Sequence, residues 1–186
     1  DSANNKIATT SQAVTFATGD SVKSITFGFS NLTDLNLWSA EYPYLYTVVV
    51  RQMNDQNNEE SVFSTKYGFR NILRSSQLVY VNGKQTYFKG VNTQDTHPLY
   101  GRSIDVPTML KDITMMKQAN MNIVRTSHYP RQPKMYSMFD YYGLYIMDEA
   151  DVECHKNWSD GASMTNDSTW IPQYVDRTVR MVLRDR

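Results

Sequence analysis

Three short apolar stretches in this chain each run directly into a dense polar cluster, and a helical pattern follows each cluster. Tyr87 to Val91 leads into Asn92-Thr93-Gln94-Asp95-Thr96-His97, and Ile123 to Val124 leads into Arg125-Thr126-Ser127-His128-Tyr129-Pro130. Leu144 to Met147 leads into Asp148-Glu149-Ala150-Asp151-Val152-Glu153-Cys154-His155. Strands alternating with helices predict a parallel sheet with right-handed crossovers. Polar residues gathered at the carboxyl ends of such strands are how a (β/α) barrel builds an active site. The pattern reads as α/β, and as part of an enzyme.

The helices are legible from their caps and periods. Asp105 caps the first, with Pro107 in its first turn and Met109, Leu110, Ile113 and Met116 on one face. Met135, Met138, Phe139 and Tyr142 mark the second, which Gly143 ends. Ile171, Val175, Val179 and Val182 mark the third, with Ser168 or Thr169 as its cap. Three strand-helix units cannot close an eight-unit barrel, so a partial (β/α)8 TIM barrel is expected, and the chain is expected to be a fragment.

Before Gly68 to Asn71 the signals are β only. Val14 to Phe16 and Val22 to Phe29 alternate, Tyr46 to Gln52 is β-branched, and Val62 to Lys66 is a further short run. The polar stretch Met53 to Glu60 reads as a hairpin loop. These strands predict part of a β-sandwich. Leu78 to Val81, Asn82-Gly83 and Thr86 to Phe88 form a hairpin with a type I′ turn. Asn31-Leu32-Thr33 matches a glycosylation sequon, a pattern short enough to arise by chance.

Composition narrows the class. Apolar residues make up 40% of 186, so the chain should fold. Nineteen basic residues balance 19 acidic ones without a basic tract, which argues against a nucleic-acid partner. No apolar run approaches the ~20 residues of a membrane helix. The single Cys154 excludes an intrachain disulfide. The 13 Tyr and 3 Trp suit sugar stacking, although aromatics are commonly core.

Several cluster residues carry chemistry. Glu153 and His155 sit two apart, so in extended chain a carboxylate and an imidazole face one way and could share an ion; a hydrogen-bonded loop pair is the plainer reading. His128 precedes Tyr129-Pro130, which forces extended backbone, and a neutral imidazole there could bond a substrate hydroxyl or simply be held by loop carbonyls. Arg125 is expected as a buried charge needing a carboxylate partner. Asp148-Glu149 could be an acid/base pair by type, but bonding to loop backbone is the better expectation for Asp148. No phosphate loop, dinucleotide fingerprint, zinc motif or Ser-His-Asp signature is present.

With these residues in view, the chain resembles glycoside hydrolase family 2, specifically the large bacterial β-galactosidases. The matching stretches are Leu37-Trp38-Ser39-Ala40-Glu41 with Pro43 and Leu45-Tyr46, Gly68-Phe69-Arg70, Val81-Asn82-Gly83-Lys84, Gly90-Val91-Asn92, and His97-Pro98-Leu99 with Gly101. The strongest are RTSHYPRQP (Arg125 to Pro133), YGLYIMDEADVECH (Tyr142 to His155) and RMVLRDR (Arg180 to Arg186). The match runs from about Leu37 to Arg186 and is weak over residues 1 to 36. The long DEA-x-x-E-x-H element is more typical of β-galactosidases than of β-glucuronidases or β-mannosidases.

The resemblance implies that residues 1–70 are the C-terminal part of an immunoglobulin-like β-sandwich and 71–186 the N-terminal part of a catalytic barrel. It implies retaining hydrolysis of terminal β-D-galactosides by a carboxylate nucleophile and a second Glu as acid/base, both expected beyond Arg186, so that this chain alone is inactive. Glu153 and His155 map onto a Mg²⁺ site, with Mn²⁺ an alternative because imidazole is unusual for Mg²⁺. A Na⁺ is a further expectation for the whole enzyme. His128 maps onto a histidine that contacts galactose and supports the transition state, and Arg125 onto an arginine that orients the nucleophile. Asn92, Gln94 and Asp95 fall among the substrate contacts. Family members commonly read N-R-H-E-H-H-P where this chain reads Asn92-Thr93-Gln94-Asp95-Thr96-His97-Pro98, so Gln94 replaces a histidine. An amide donates a hydrogen bond but cannot carry the imidazole's charge. The expected partners are a galactoside, the remainder of the barrel and copies of the enzyme in a homo-oligomer, with a cytoplasmic location favoured over periplasmic or secreted. The alternatives are another family 2 exo-glycosidase, β-glucuronidase- or β-mannosidase-like, and a non-catalytic subunit completed by a partner chain.

Overall fold

The computed structural model describes residues 1–3, 5–155 and 164–185. The last residue of the RMVLRDR motif, Arg186, lies outside them. The chain divides into two compact units, Asp1–Trp38 with Tyr44–Phe69, and Ser39–Pro43 with Arg70–Arg186.

In the first unit, β1 (Tyr46–Met53) and β2 (Glu59–Tyr67) form an antiparallel hairpin whose register runs from Tyr46↔Tyr67 to Met53↔Glu59. Its loop is tied by the Asn54 side chain, which accepts from the backbone N–H of Gln56 (3.0 Å) and Asn58 (2.9 Å). This is the turn chemistry that Asn supplies best. Trp38 and Tyr46 are the buried aromatics of this unit. Tyr46 packs edge-on against Phe69 at 5.3 Å, and its hydroxyl accepts from the Asn36 N–H at 2.9 Å. The alternating stretches Val14 to Phe16 and Val22 to Phe29 are not strands, contrary to expectation. Alternation describes a strand's faces, but a ladder needs a neighbour, and these segments pair with none of the described residues. Phe16 and Val22 are accordingly exposed.

In the second unit, β3 (Ile72–Ser75), β4 (Leu78–Val81) and β5 (Lys84–Gln85) make an antiparallel sheet in that order. Asn82 and Gly83 both have positive φ, 52° and 76°, as a type I′ turn requires. The returning strand begins at Lys84 rather than Thr86, and β3 adds a strand that local pattern did not reveal.

The parallel sheet follows. β6 (Gly90–Asn92), β7 (Ile123–Arg125) and β8 (Tyr145–Met147) lie in that order, with Asn92, Arg125 and Met147 in register at their carboxyl ends. Between them run α1 (Val106–Gln118) and α2 (Pro133–Tyr142). Ile104, Met109, Ile113, Met116, Val124, Met135, Met138, Phe139 and Leu144 form one core. Leu110, expected on the buried face of α1, lies at its edge and is 38% exposed. Gly143 ends α2 at φ 76°. Lys117 donates to the carbonyls of Ala40 (3.1 Å) and Gly143 (2.9 Å), pinning Ser39–Pro43 to the ends of both helices.

α3 (Ile171–Asp185) has the expected apolar stripe, but Ile171, Val175, Val179 and Val182 are all exposed. Its entry differs from expectation. Ser168–Trp170 is a 3-10 turn capped by Asp167, whose carboxylate accepts from the Thr169 N–H at 2.9 Å, so neither Ser168 nor Thr169 is the cap.

The cap of α1 yields a pH prediction. Asp105 accepts from the Thr108 hydroxyl (2.6 Å) and N–H (3.0 Å), and these bonds hold its carboxyl below the usual carboxylate range. A depressed acid stabilises the fold above its unfolded pKa of about 3.9, and that contribution disappears as pH falls through the lower folded value. Asp105→Ala should therefore lower the thermal midpoint at pH 7, with the difference from wild type closing as pH drops below about 3.9. Parallel melts across that range would check it; a constant difference would exclude the charged cap.

Candidate active site

The carboxyl ends of β6, β7 and β8 assemble an unbroken line of polar side chains. Arg125, the last residue of β7, reaches across to Asn92 at the end of β6, its Nη1 donating to Oδ1 at 3.3 Å. Its Nη2 donates to Oε1 of Glu149, just past β8. The other oxygen of Glu149 faces Nδ1 of His128 at 3.2 Å. Glu153 Oε2 approaches the same Nδ1 at 3.6 Å, and Glu153 Oε1 faces Nδ1 of His155 at 2.9 Å. Two carboxylates around one ring nitrogen call for a proton on Nδ1, which leaves Nε2 as the ring nitrogen turned to a ligand.

Beneath this line lies a bracing layer. The Thr126 hydroxyl, buried with Ser127, donates to Asp148 Oδ1 at 2.8 Å and accepts from the Glu149 N–H at 3.0 Å. Tyr136 on α2 donates to the same Asp148 oxygen at 2.7 Å. Burial, reinforced by this bond, pushes the Tyr136 phenol well above its ordinary range, so it acts as a fixed donor. Asp148 also accepts from the Glu149 N–H at 3.1 Å. It thus anchors side chains from two other elements as well as the loop backbone.

The expected residues fare differently. Arg125 meets a carboxylate, Glu149, but its side chain is 34% exposed rather than buried, because a three-strand sheet does not enclose the end of β7. His128, Glu153 and His155 come together with Glu149. Asn92 joins through Arg125, while Gln94 is exposed on the next loop. Asp95 turns to Arg131, its Oδ1 facing Nε at 3.3 Å. Sequence reasoning missed Arg131, which is 1% exposed, and missed Glu149 as the residue joining Arg125 to His128. An arginine in a polar loop gives no local sign of burial.

Burial raises the Asp95 carboxyl above its usual range, with Arg131 opposing the shift. A raised acid favours the fold at low pH, and that contribution is lost as pH rises from about 3.9 through the folded value. Asp95→Asn should therefore flatten the pH dependence of unfolding over this window. Urea titrations at several pH values would test it, and a profile parallel to wild type would refute it.

As a cation site, Glu153 and His155 offer two donor atoms 2.9 Å apart on one side. Neighbouring ligands of a six-coordinate Mg²⁺ are ~3 Å apart, so the spacing would suit a shared ion, but Glu153 Oε1 also accepts from the His155 N–H at 2.9 Å, the hydrogen-bonded loop pair of the plainer reading. Among the described residues no group of three His, Cys, Asp or Glu side chains completes such a site. No helix of the described residues is long and apolar enough to cross a membrane.

Two family models divide the chain. "Glycosyl hydrolases family 2" matches residues 1–70, and "Glycosyl hydrolases family 2, TIM barrel domain" matches residues 73–186. The chain belongs to glycoside hydrolase family 2. It is a partial TIM barrel preceded by part of a β-sandwich. Among solved structures it is similar to Bifidobacterium dentium β-glucuronidase complexed with coumarin-3-O-glucuronide, with 31% identity, a TM-score of 0.60, and coverage of 62% of this chain and 19% of that one. The Ruminococcus gnavus β-glucuronidase in complex with D-glucuronic acid matches at 28% identity and TM-score 0.60, covering 62% and 20%. The Dictyoglomus thermophilum β-D-glucuronidase matches at 27% and 0.59, again covering 62% and 20%. This family 2 chain thus spans about a fifth of the length of the glucuronidases it matches.

Proposed function

We propose that this chain contributes the sugar-facing side of a retaining exo-β-glycosidase acting on terminal β-D-galactosides. The supporting observation is the line from Asn92 through Arg125, Glu149, His128 and Glu153 to His155, raised on the ends of three parallel strands. Cleaving a glycoside by this route needs two carboxylates flanking the bond, and the chain's own residues take supporting roles. Nε2 of His128 bonds a sugar hydroxyl, with Glu149 and Glu153 fixing the ring. Asn92 and Gln94 offer amides to further hydroxyls. Arg125 places positive charge beside the reacting carboxylates and, through Glu149, links that charge to His128. Glu153 and His155 would hold Mg²⁺ or Mn²⁺, which would orient a further carboxylate and neutralise charge there.

β-Glucuronidase activity is the second reading, favoured by the solved structures the chain matches. A glucuronide brings a carboxylate that wants a cation. Arg125 and Arg131 face Glu149 and Asp95, so on this second reading the cation would be supplied by another residue. The complete protein should be assayed on 4-nitrophenyl β-galactoside, β-glucuronide and β-mannoside. A preference of roughly tenfold or more in kcat/KM for the galactoside supports the first reading. A glucuronide preference installs the second, and no hydrolysis of any removes both. Activity lost to a chelator and restored by Mg²⁺ or Mn²⁺ is expected; insensitivity would dismiss the ion.

A further inference from the structure

Arg131 sits in the loop between β7 and α2, and nothing in the role of a substrate contact or metal ligand accounts for it. It is 1% exposed. Burying a guanidinium is costly unless its donors are used, and here both Nη groups are used, in one direction, while the buried Nε makes no hydrogen bond and is opposed only by charge. Nη2 donates to the carbonyl of Thr93, to that of Ser127 at 3.0 Å and to the Thr93 hydroxyl at 3.3 Å. Nη1 donates to the carbonyl of Tyr129 at 3.1 Å. Nε faces Asp95 Oδ1 at 3.3 Å, and the guanidinium lies 4.4 Å from the centre of the Tyr129 ring. The Tyr129 hydroxyl in turn accepts from the Asp95 N–H at 3.0 Å.

The residues gripped are not arbitrary. Ser127 and Tyr129 stand on either side of His128, and Thr93 and Asp95 stand on either side of Gln94. One side chain therefore clasps the backbone flanking His128 and the loop that carries Gln94. Only a planar fork can reach three carbonyls at once while holding its charge against Asp95, whereas a lysine supplies the charge without the span.

We propose that Arg131 is a positioning residue that sets the His128 ring between Glu149 and Glu153 by bridging the β6 and β7 loops. The kinetic consequence rests on the role proposed above for His128; the geometric claim does not. The test uses the complete protein carrying Arg131→Lys, which keeps a cation beside Asp95. Crystal structures of wild type and variant should show the His128 ring displaced from Glu149 and Glu153 in the variant. With an aryl β-galactoside, kcat should fall about 10- to 100-fold with KM changed less. In a His128→Ala background the same substitution should change kcat by less than about threefold, because the residue acts through the ring already removed. A His128 ring unmoved in Arg131→Lys overturns the proposal, as does an equal loss of kcat in both backgrounds. If Arg131→Lys does not fold, the double variant Arg131→Gln with Asp95→Asn removes both charges and is read by the same criteria. If wild type hydrolyses no glycoside, the glycosidase reading fails, and the position of the His128 ring alone decides this proposal.

Discussion

Glu149→Gln should lower kcat of the complete protein on the order of 100-fold while leaving its thermal midpoint close to wild type. Glu149 pairs with both Arg125 and His128, one oxygen facing each. An amide presents one acceptor and one donor, so either Arg125 or the Nδ1 of His128 would meet an N–H instead of an oxygen. The charge opposite Arg125 is lost in either orientation. The backbone at this position is held independently, since the Glu149 N–H is taken by Thr126 and Asp148. Catalysis and folding should therefore separate. Steady-state kinetics on an aryl glycoside would read the effect, and a fall in kcat smaller than about threefold would remove Glu149 from the centre of the site.

Gly90→Ala should destabilise the fold by about 3 kcal/mol, the upper end of what overpacking costs. A Cβ at Gly90 would lie 2.0 Å from the carbonyl oxygen of Ile123 and 2.5 Å from its Cγ2. The obstacle is largely backbone of the paired strand, so no rotamer change clears it. Relief requires β6 to move away from β7, against the Gly90↔Ile123 pairing. It must also strain the Asn122 side chain, which accepts from Lys89 N–H and donates to the Tyr87 carbonyl, both at 2.8 Å. Asn92 lies two residues further on, so the site should suffer with the sheet. Urea unfolding of wild type and variant would measure the cost; a difference below about 0.5 kcal/mol would mean the strands do not approach this closely.

How far the sequence could be read depended on the range of each interaction. The cap at Asp105, the turn at Asn82-Gly83 and the stop at Gly143 are local devices, and each stands where the residues indicate. The alternating stretches before Leu37 failed because β-structure is a statement about a neighbour, and the residues announce only their own side of it. Leu110 failed more narrowly: it shares the helical period of Met109 and Ile113 but falls at the margin of the packed face.

By itself the sequence determined the fold class, the alternation of strand and helix from β6 onward, and the polar clusters at the strand ends, because period, capping and turn chemistry act within a few residues. It also carried the family, since motif spacing survives without coordinates. Only the tertiary structure decided that Arg125 meets Glu149 across 24 residues, that Glu149 continues to His128, and that Arg131 spans 38 residues to grip Thr93. Those pairings depend on which loops the parallel sheet brings side by side. A charge in a polar loop looks the same in sequence whether it is solvated or enclosed, and enclosure is what sets its role.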